Sequence, residues 1–242
     1  MPTDLQAVNL EIGMLIFAVF TAIAIWKLIK HRDPLVLFCV LGGLGMTLLE
    51  PICNVLGLAY HPEIGQIAAF TAMDRKIPWH IVLVFPCFFA GFTWLMAHLD
   101  ARRIPVRKFW ILVLATILVS FVFELSPVHD GLWLYYGEQP LRIWGMPLWW
   151  YVANPTAMIG SASLAVLATR GLAGWKRWPL ILIVPVLGVG IHTGVAAPVY
   201  VAMNSGASPW LGAAATAVTL AFGLVIVWMC GRLLFQSEGR RV

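Results

Sequence analysis

The sequence predicts an all-α integral membrane protein, a bundle of seven transmembrane helices with its N-terminus outside and its C-terminus in the cytoplasm. Three observations predict it. Of 242 residues, 61% are hydrophobic and 11% charged, against about 25% charged in an ordinary soluble domain, so the chain has more apolar surface than a soluble core can bury. Seven stretches reach the roughly 20 apolar residues that a bilayer core about 30 Å thick requires. The basic residues also alternate between two sides. One side holds Lys27, Lys30, Arg32, Arg102, Arg103, Arg107, Lys108, Arg170, Lys176, Arg177, Arg232, Arg240 and Arg241, and the other only Arg75, Lys76 and Arg142. Excess Lys and Arg stay cytoplasmic, which sets the orientation. One span more or fewer would mix the two groups. The net charge of +5 therefore marks topology, and no nucleic-acid partner is expected.

The spans are approximately 9–30, 34–59, 79–98, 109–125, 147–169, 179–202 and 209–235. They fill most of the chain, so residues 1–242 are read as one multi-pass domain of the plasma (inner) membrane. The first span opens at Glu11 and lacks the charged start and cleavage site of a signal peptide, so it is expected to be retained. The second carries Glu50 and Asn54, four residues apart on one helix face, and Pro51 between them frees a carbonyl and bends the helix. The third opens on Trp79 and His80, and the fourth closes on Glu124. The fifth carries Trp150 and, one turn on, Asn154 before Pro155. The sixth holds His192 and Thr193, and the seventh has no acid and no Lys. Glycines at 41–45 and 187–194 read as close helix packing. Cys39, Cys53, Cys87 and Cys230 fall within spans without a close pair, as small buried apolar residues do.

Two blocks share their spacing. Glu50 is followed by Gly57-Leu58 and then by Pro78, Pro86 and Gly91; Glu124 is followed by Gly131-Leu132 and then by Pro147, Pro155 and Gly160. The Glu-to-Gly and the Pro-Pro-Gly intervals are the same in both, so spans two and three are expected to repeat as spans four and five in parallel. The outer loops near 60–78 and 126–146 contain Tyr60, His61, Glu63, Asp74, His129, Asp130, Trp133, Tyr135, Tyr136 and Trp144. Loops of this length are either lids or binding loops, or amphipathic stretches lying in the interface.

Ionisable groups inside spans are costly and face a bundle interior or a wet cavity. Glu11, Glu50, Asn54, His80, Glu124, Asn154 and His192 all fall in the outer half, and the inner half is nearly all aliphatic. This asymmetry predicts a cavity open toward the outer leaflet or the outside and closed below. Each residue alone also fits a plainer role: Glu50 a neutral packing acid, Glu124 an interfacial charge, His80 and His192 satisfied interior histidines, Asn154 a repair of backbone bonds beside Pro155. Their common depth favours a site. Trp79, Trp133, Trp144, Trp149, Trp150 and Trp210 share that band, as an aromatic belt or, where Trp150 accompanies Asn154, as the wall of a site that attracts positive charge.

Without Lys on the seventh span, a retinal Schiff base there is excluded. The chain has no H-E-x-x-H, no His pair at helical spacing, no Cys–His cluster, no G-x-S-x-G and no nucleotide-binding glycine loop, so no metal and no cofactor are expected. A compact seven-span chain with isolated acids, many aromatics and no metal motif resembles the membrane-bound terpenoid cyclases of meroterpenoid pathways. The resemblance implies that an acid protonates an alkene or epoxide while aromatic walls guide the cation, and that Glu50 matches the family's acid on the second helix. The family's second acid lies on the last helix. No Asp or Glu occurs here between Gly206 and Gln236, which leaves that role to Glu124.

The resulting expectation is a membrane enzyme for acid–base isomerisation or cyclisation of a lipophilic, isoprenoid or sterol-like substrate. Glu50 is the expected proton donor and Asn54 orients it. Glu124 or His192 takes up the proton, and Trp79, His80, Asp130, Trp150 and Asn154 complete the pocket. Two other classes stay open: a proton- or cation-coupled transporter built on Glu50 and Glu124, and a non-catalytic lipid-binding or sensory protein. Membrane lipid is the other partner expected, and the sequence leaves the oligomeric state open.

Overall fold

A computed structural model, which describes residues 1–102 and 105–235, contains seven helical segments long and apolar enough to cross a membrane. They are α1 (Thr3–His31), α2 (Leu35–Gly45) continued through a 3-10 turn into α3 (Leu49–Leu56), α4 (Trp79–Arg102), α5 (Val106–His129), α6 (Trp150–Ala168), α7 (Leu180–Asn204) and α8 (Pro209–Phe235). Arg103, Arg240 and Arg241, used above to orient the chain, lie outside the described residues. Pro51 has no N–H to give the carbonyl four residues back, and the turn just before α3, Met46–Leu48, tightens to 3-10. Pro127 costs α5 a hydrogen bond without ending it. The helix runs on to His129, so Glu124 lies inside the helix and not at its tip.

One end of the bundle gathers the long connections. The Met1 amine donates to the Ile64 carbonyl and Gln6 Nε2 to that of Gly65 (2.6 and 2.9 Å), and Asn204 Nδ2 donates to Leu56 O (2.8 Å). Strand β1 (Ala59–Tyr60) pairs antiparallel with β4 (Leu134–Tyr135), so that the two connections meet. Each connection then makes a hairpin, β2 (Ala68–Ala72) with β3 (Arg75–Pro78), and β5 (Arg142–Ile143) with β6 (Met146–Pro147). The central residues of both hairpins, Met73 with Asp74 and Trp144 with Gly145, have positive φ, the backbone of the tight turn that matches strand twist. The connections are therefore small β units roofing the bundle, not interfacial helices. At the opposite end Arg170 pairs with Asp100 and reaches the Leu234 carbonyl.

Helix α6 is central and packs on α4, α5, α7 and α8. Its run of Ala, Gly and Ser from Ala153 to Ala165 is almost wholly buried and lets the neighbouring backbones approach closely. Gly43 and Gly42 do the same for α2: a Cβ on Gly43 would stand 2.6 Å from the Pro86 carbonyl oxygen, and one on Gly42 2.8 Å from that of Leu180. Among the described residues, α4 packs on α1, α2 and α6, whereas α5 packs mainly on α6, so these consecutive helices hardly touch. The divergence leaves the space described next.

Candidate functional site

A cavity of about 240 Å³ lies between α3, α4, α5 and α6 under the β1–β4 pair. Glu50, Glu124 and Asn154 lie four to six residues from the loop-end termini of their helices, which at helical rise is a common depth of about 6–9 Å. All three line the cavity, together with Asn54 and Trp150. Five of the nine residues expected from the sequence thus converge.

The two carboxyl groups are held differently. Glu50 Oε1 shares a proton with His61 Nε2 across 2.7 Å, and both residues are buried. His61 reaches this position because the chain reverses after α3, where Leu58 takes a positive φ, and the following strand folds back beneath the roof. Glu124 Oε1 accepts a hydrogen bond from Asn154 Nδ2 at 3.2 Å. The Trp150 indole N–H lies near Glu124 but makes no hydrogen bond. Glu124 is 7% exposed, which corrects its reading as an interfacial charge.

The walls are aromatic. Trp133 and Tyr135 come from the roof, Phe85, Phe88 and Phe92 from α4, and Phe123 from α5. Trp150 meets Tyr135 edge-on at 5.9 Å, and Trp133 meets His61 at 6.1 Å. Burial, with the carboxyls of Glu124 and Glu50 nearby, pushes the Tyr135 hydroxyl well above its ordinary range, so it remains a neutral phenol. Away from the roof the cavity ends on Met158, Phe92 and Leu112. Beyond lies an apolar cluster of Met96, Phe109, Val113, Ile159 and Val227. Among the described residues, every buried Glu and His is in the loop-end half. The other half is less purely aliphatic than expected, since Thr93, Ser161 and Ser163 bury their hydroxyls there.

Four expected residues stand elsewhere. His192 is fully buried behind Trp150, its ring 5.4 Å from the indole and its Nδ1 3.5 Å from Cys53 Sγ and 3.4 Å from the Tyr200 hydroxyl. It does not line the cavity because Trp150 occupies the space between. His80 packs against His61, ring to ring at 5.9 Å, and does not line the cavity. Trp79 is 44% exposed at the bundle rim. Asp130 follows α5, where its carboxylate accepts a hydrogen bond from Ser126 at 2.8 Å near solvent. Asn54 lines the cavity but does not orient Glu50: its buried Nδ2 has no partner, and His61 occupies the place beside the carboxyl.

The sequence reading missed His61, Trp133 and Tyr135 as wall residues. The signal was present in the paired Gly-Leu steps. Ala59 and His61 follow Gly57 by two and four residues, as Trp133 and Tyr135 follow Gly131, and alternate residues of a strand share a face. Among the described residues no three of His, Cys, Asp and Glu gather as metal ligands would. No family model, no curated protein and no solved structure matches this chain.

Proposed function

We propose that the chain is a membrane enzyme that isomerises or cyclises a lipophilic, isoprenoid or sterol-like substrate by acid–base chemistry in this chamber. The observation that carries the reading is two buried carboxyls, one paired with an imidazole and one with an amide, facing a single aromatic-walled cavity. With Nε2 protonated, His61 donates to Glu50 Oε1 and leaves Oε2 to carry the transferable proton. Glu50 gives that proton to a substrate alkene, forming a C–H bond and a carbocation. The faces of Trp133, Trp150 and Tyr135 attract the positive charge. The Glu124 carboxylate then removes a proton from a neighbouring carbon, whose C–H electron pair becomes the new double bond. Substrate and product have the same formula, and the proton returns from Glu124 to Glu50 before the next cycle.

The alternation of basic residues supports placing the loop end and the N-terminus outside the plasma membrane and the C-terminus in the cytoplasm. Reporters fused after Lys30 and Lys176 are expected to read cytoplasmic, and those after His61, Gln139 and Ser205 external. The paired β units, each a strand, a tight hairpin and a Pro-containing helix, support the reading of the two blocks as a parallel repeat.

The test is solvent deuterium. Membranes containing the protein and a total lipid extract are incubated in D2O, and the lipids are analysed by mass spectrometry. The expected result is an isomer pair in which the product gains one deuterium at carbon, absent with Glu50→Gln. Equal incorporation by wild type and Glu50→Gln overturns the mechanism. Proton-coupled uptake into vesicles without any new isomer would instead establish a transporter.

A further inference from the structure

The chamber has a thin side. Because α4 and α5 diverge, the wall between them consists of side chains alone, with Val84, Phe88 and Phe92 from one helix and Val119 and Phe123 from the other. Beyond those side chains lies a second cavity of about 260 Å³, where Ile16 and Phe20 of α1 face Cys87, Gly91 and Leu95 of α4. Val84, Phe88, Phe92 and Phe123 line both spaces. At the centre of this shared wall the rings of Phe88 and Phe123 meet edge to face, 5.5 Å apart. Val119, Val122 and Phe123 are exposed on the outer surface of α5, which in a bilayer meets lipid chains. The route inward is therefore apolar from the surface to the ring pair, whose two side chains stand between the cavities.

The polar end of the chamber is incomplete. Asn54 Nδ2, Trp150 Nε1, His61 Nδ1 and Glu124 Oε2 are buried without a hydrogen-bond partner, and native interiors keep few such atoms. Two fixed donors and one carboxylate oxygen around one space match a hydroxyl, whose oxygen accepts from Asn54 or Trp150 and whose hydrogen goes to Glu124 Oε2. An anionic group on the ligand would find no counter-ion, since among the described residues no Lys or Arg lines the cavity.

We propose that the ligand is a membrane-dissolved amphiphile with a long apolar tail and a single hydroxyl, which enters sideways between α4 and α5 through a gate formed by Phe88 and Phe123. Its oxygen rests among Asn54, Trp150 and Glu124, and its tail lies across the open gate in the groove against α1. This rests on the chamber being the ligand site proposed above, but on no chemistry there.

The probe is farnesol carrying a diazirine at the end of its tail, compared with the same chain lacking the hydroxyl, each added to the purified protein in phosphatidylcholine nanodiscs. Photolysis at timed intervals is followed by mapping of labelled peptides. The alcohol is expected to label α1 and α4 around Phe20 and Gly91, about tenfold more than the hydrocarbon, the equivalent of one hydrogen bond. Trp150→Phe, which removes the indole N–H and keeps a smaller aromatic ring, and Asn54→Leu should each shrink that preference. Phe123→Ala should speed labelling and Phe123→Trp slow it. Labels confined to residues 57–78 and 130–149, equal labelling by the two probes, or gate variants that leave the rate unchanged would each overturn the proposal. Labelling needs no turnover. Intact gating without deuterium incorporation therefore removes the enzyme and leaves this inference standing, whereas turnover with labels only at the loop end does the reverse.

Discussion

The two helix–loop–helix blocks bring corresponding positions to the chamber wall and fill them differently. The first supplies Glu50, Ala59, His61, Ile81 and Phe85, and the second supplies Glu124, Trp133, Tyr135, Trp150 and Asn154 at the same distances from their Gly-Leu and Pro landmarks. Only the carboxyl is common. In the first block it stands beside an imidazole among smaller apolar side chains; in the second it stands beside an amide among indoles and a phenol. Equal placement with unequal hydrogen-bond partners is the arrangement that the proposed division of acid from base work uses.

The largest effect expected from this difference is loss of turnover when either carboxyl becomes an amide. Glu50→Gln and Glu124→Gln should each lower deuterium incorporation by about 10²–10⁴-fold, the usual weight of a general acid or base, while both variants remain folded and Glu50→Gln keeps the diazirine probe. If one of the two works at near wild-type rate, the carboxyl it replaces is a packing group and the division of labour fails.

Replacing the partners sharpens the comparison. His61→Gln removes the imidazole and its 2.7 Å contact with Glu50, so turnover should fall by about tenfold, the equivalent of one hydrogen bond, and its pH profile should change shape. Asn154→Leu should lower turnover by a similar factor, since Glu124 Oε1 loses its donor, with the shape of the pH profile retained. The reverse pattern in the two profiles would assign the imidazole to structure and break the contrast.

The seven membrane-length helices were legible because span length and hydropathy are properties of composition, whereas the β pairs of the connections were not, being too short to leave a periodic pattern. The site was legible by depth and not by direction. Glu50, Glu124, Trp150 and Asn154 were found because a polar residue within a span has to face inward. His61 and Tyr135 were not, because a short strand that folds back under a roof leaves no hydropathy signal. His192 misled for the converse reason: a buried imidazole with Cys53 and Tyr200 as neighbours looks the same in sequence as one facing a cavity, and only the placement of Trp150 tells them apart.

The aromatic wall of the second block supports a smaller prediction. Trp133→Leu removes a ring face from the chamber while keeping it apolar, so it should slow turnover by about tenfold, in the range of one cation–π contact in a dry site. It should also broaden the set of isomers formed. Ile81→Leu, at the position in the first block corresponding to Trp150, should change neither rate nor product pattern by more than about twofold. A flat response at both positions would mean that no cation forms near the indole.

The smallest effect is expected at Asp130, where the sequence placed a binding residue and the structure places a helix end. Its carboxylate takes the Ser126 hydroxyl and its backbone N–H bonds the Ser126 carbonyl. Asp130→Asn retains an oxygen acceptor for Ser126 and leaves the backbone bond untouched, and near solvent the lost charge is screened. Turnover and probe labelling should therefore both stay within about twofold of wild type, as for surface changes in general. A loss of tenfold or more in either would mean that the chamber extends through the roof to Asp130 when a ligand is bound. The two blocks would then differ in their outer connections as well as in their walls, and the route from the membrane side would have a competitor at the loop end.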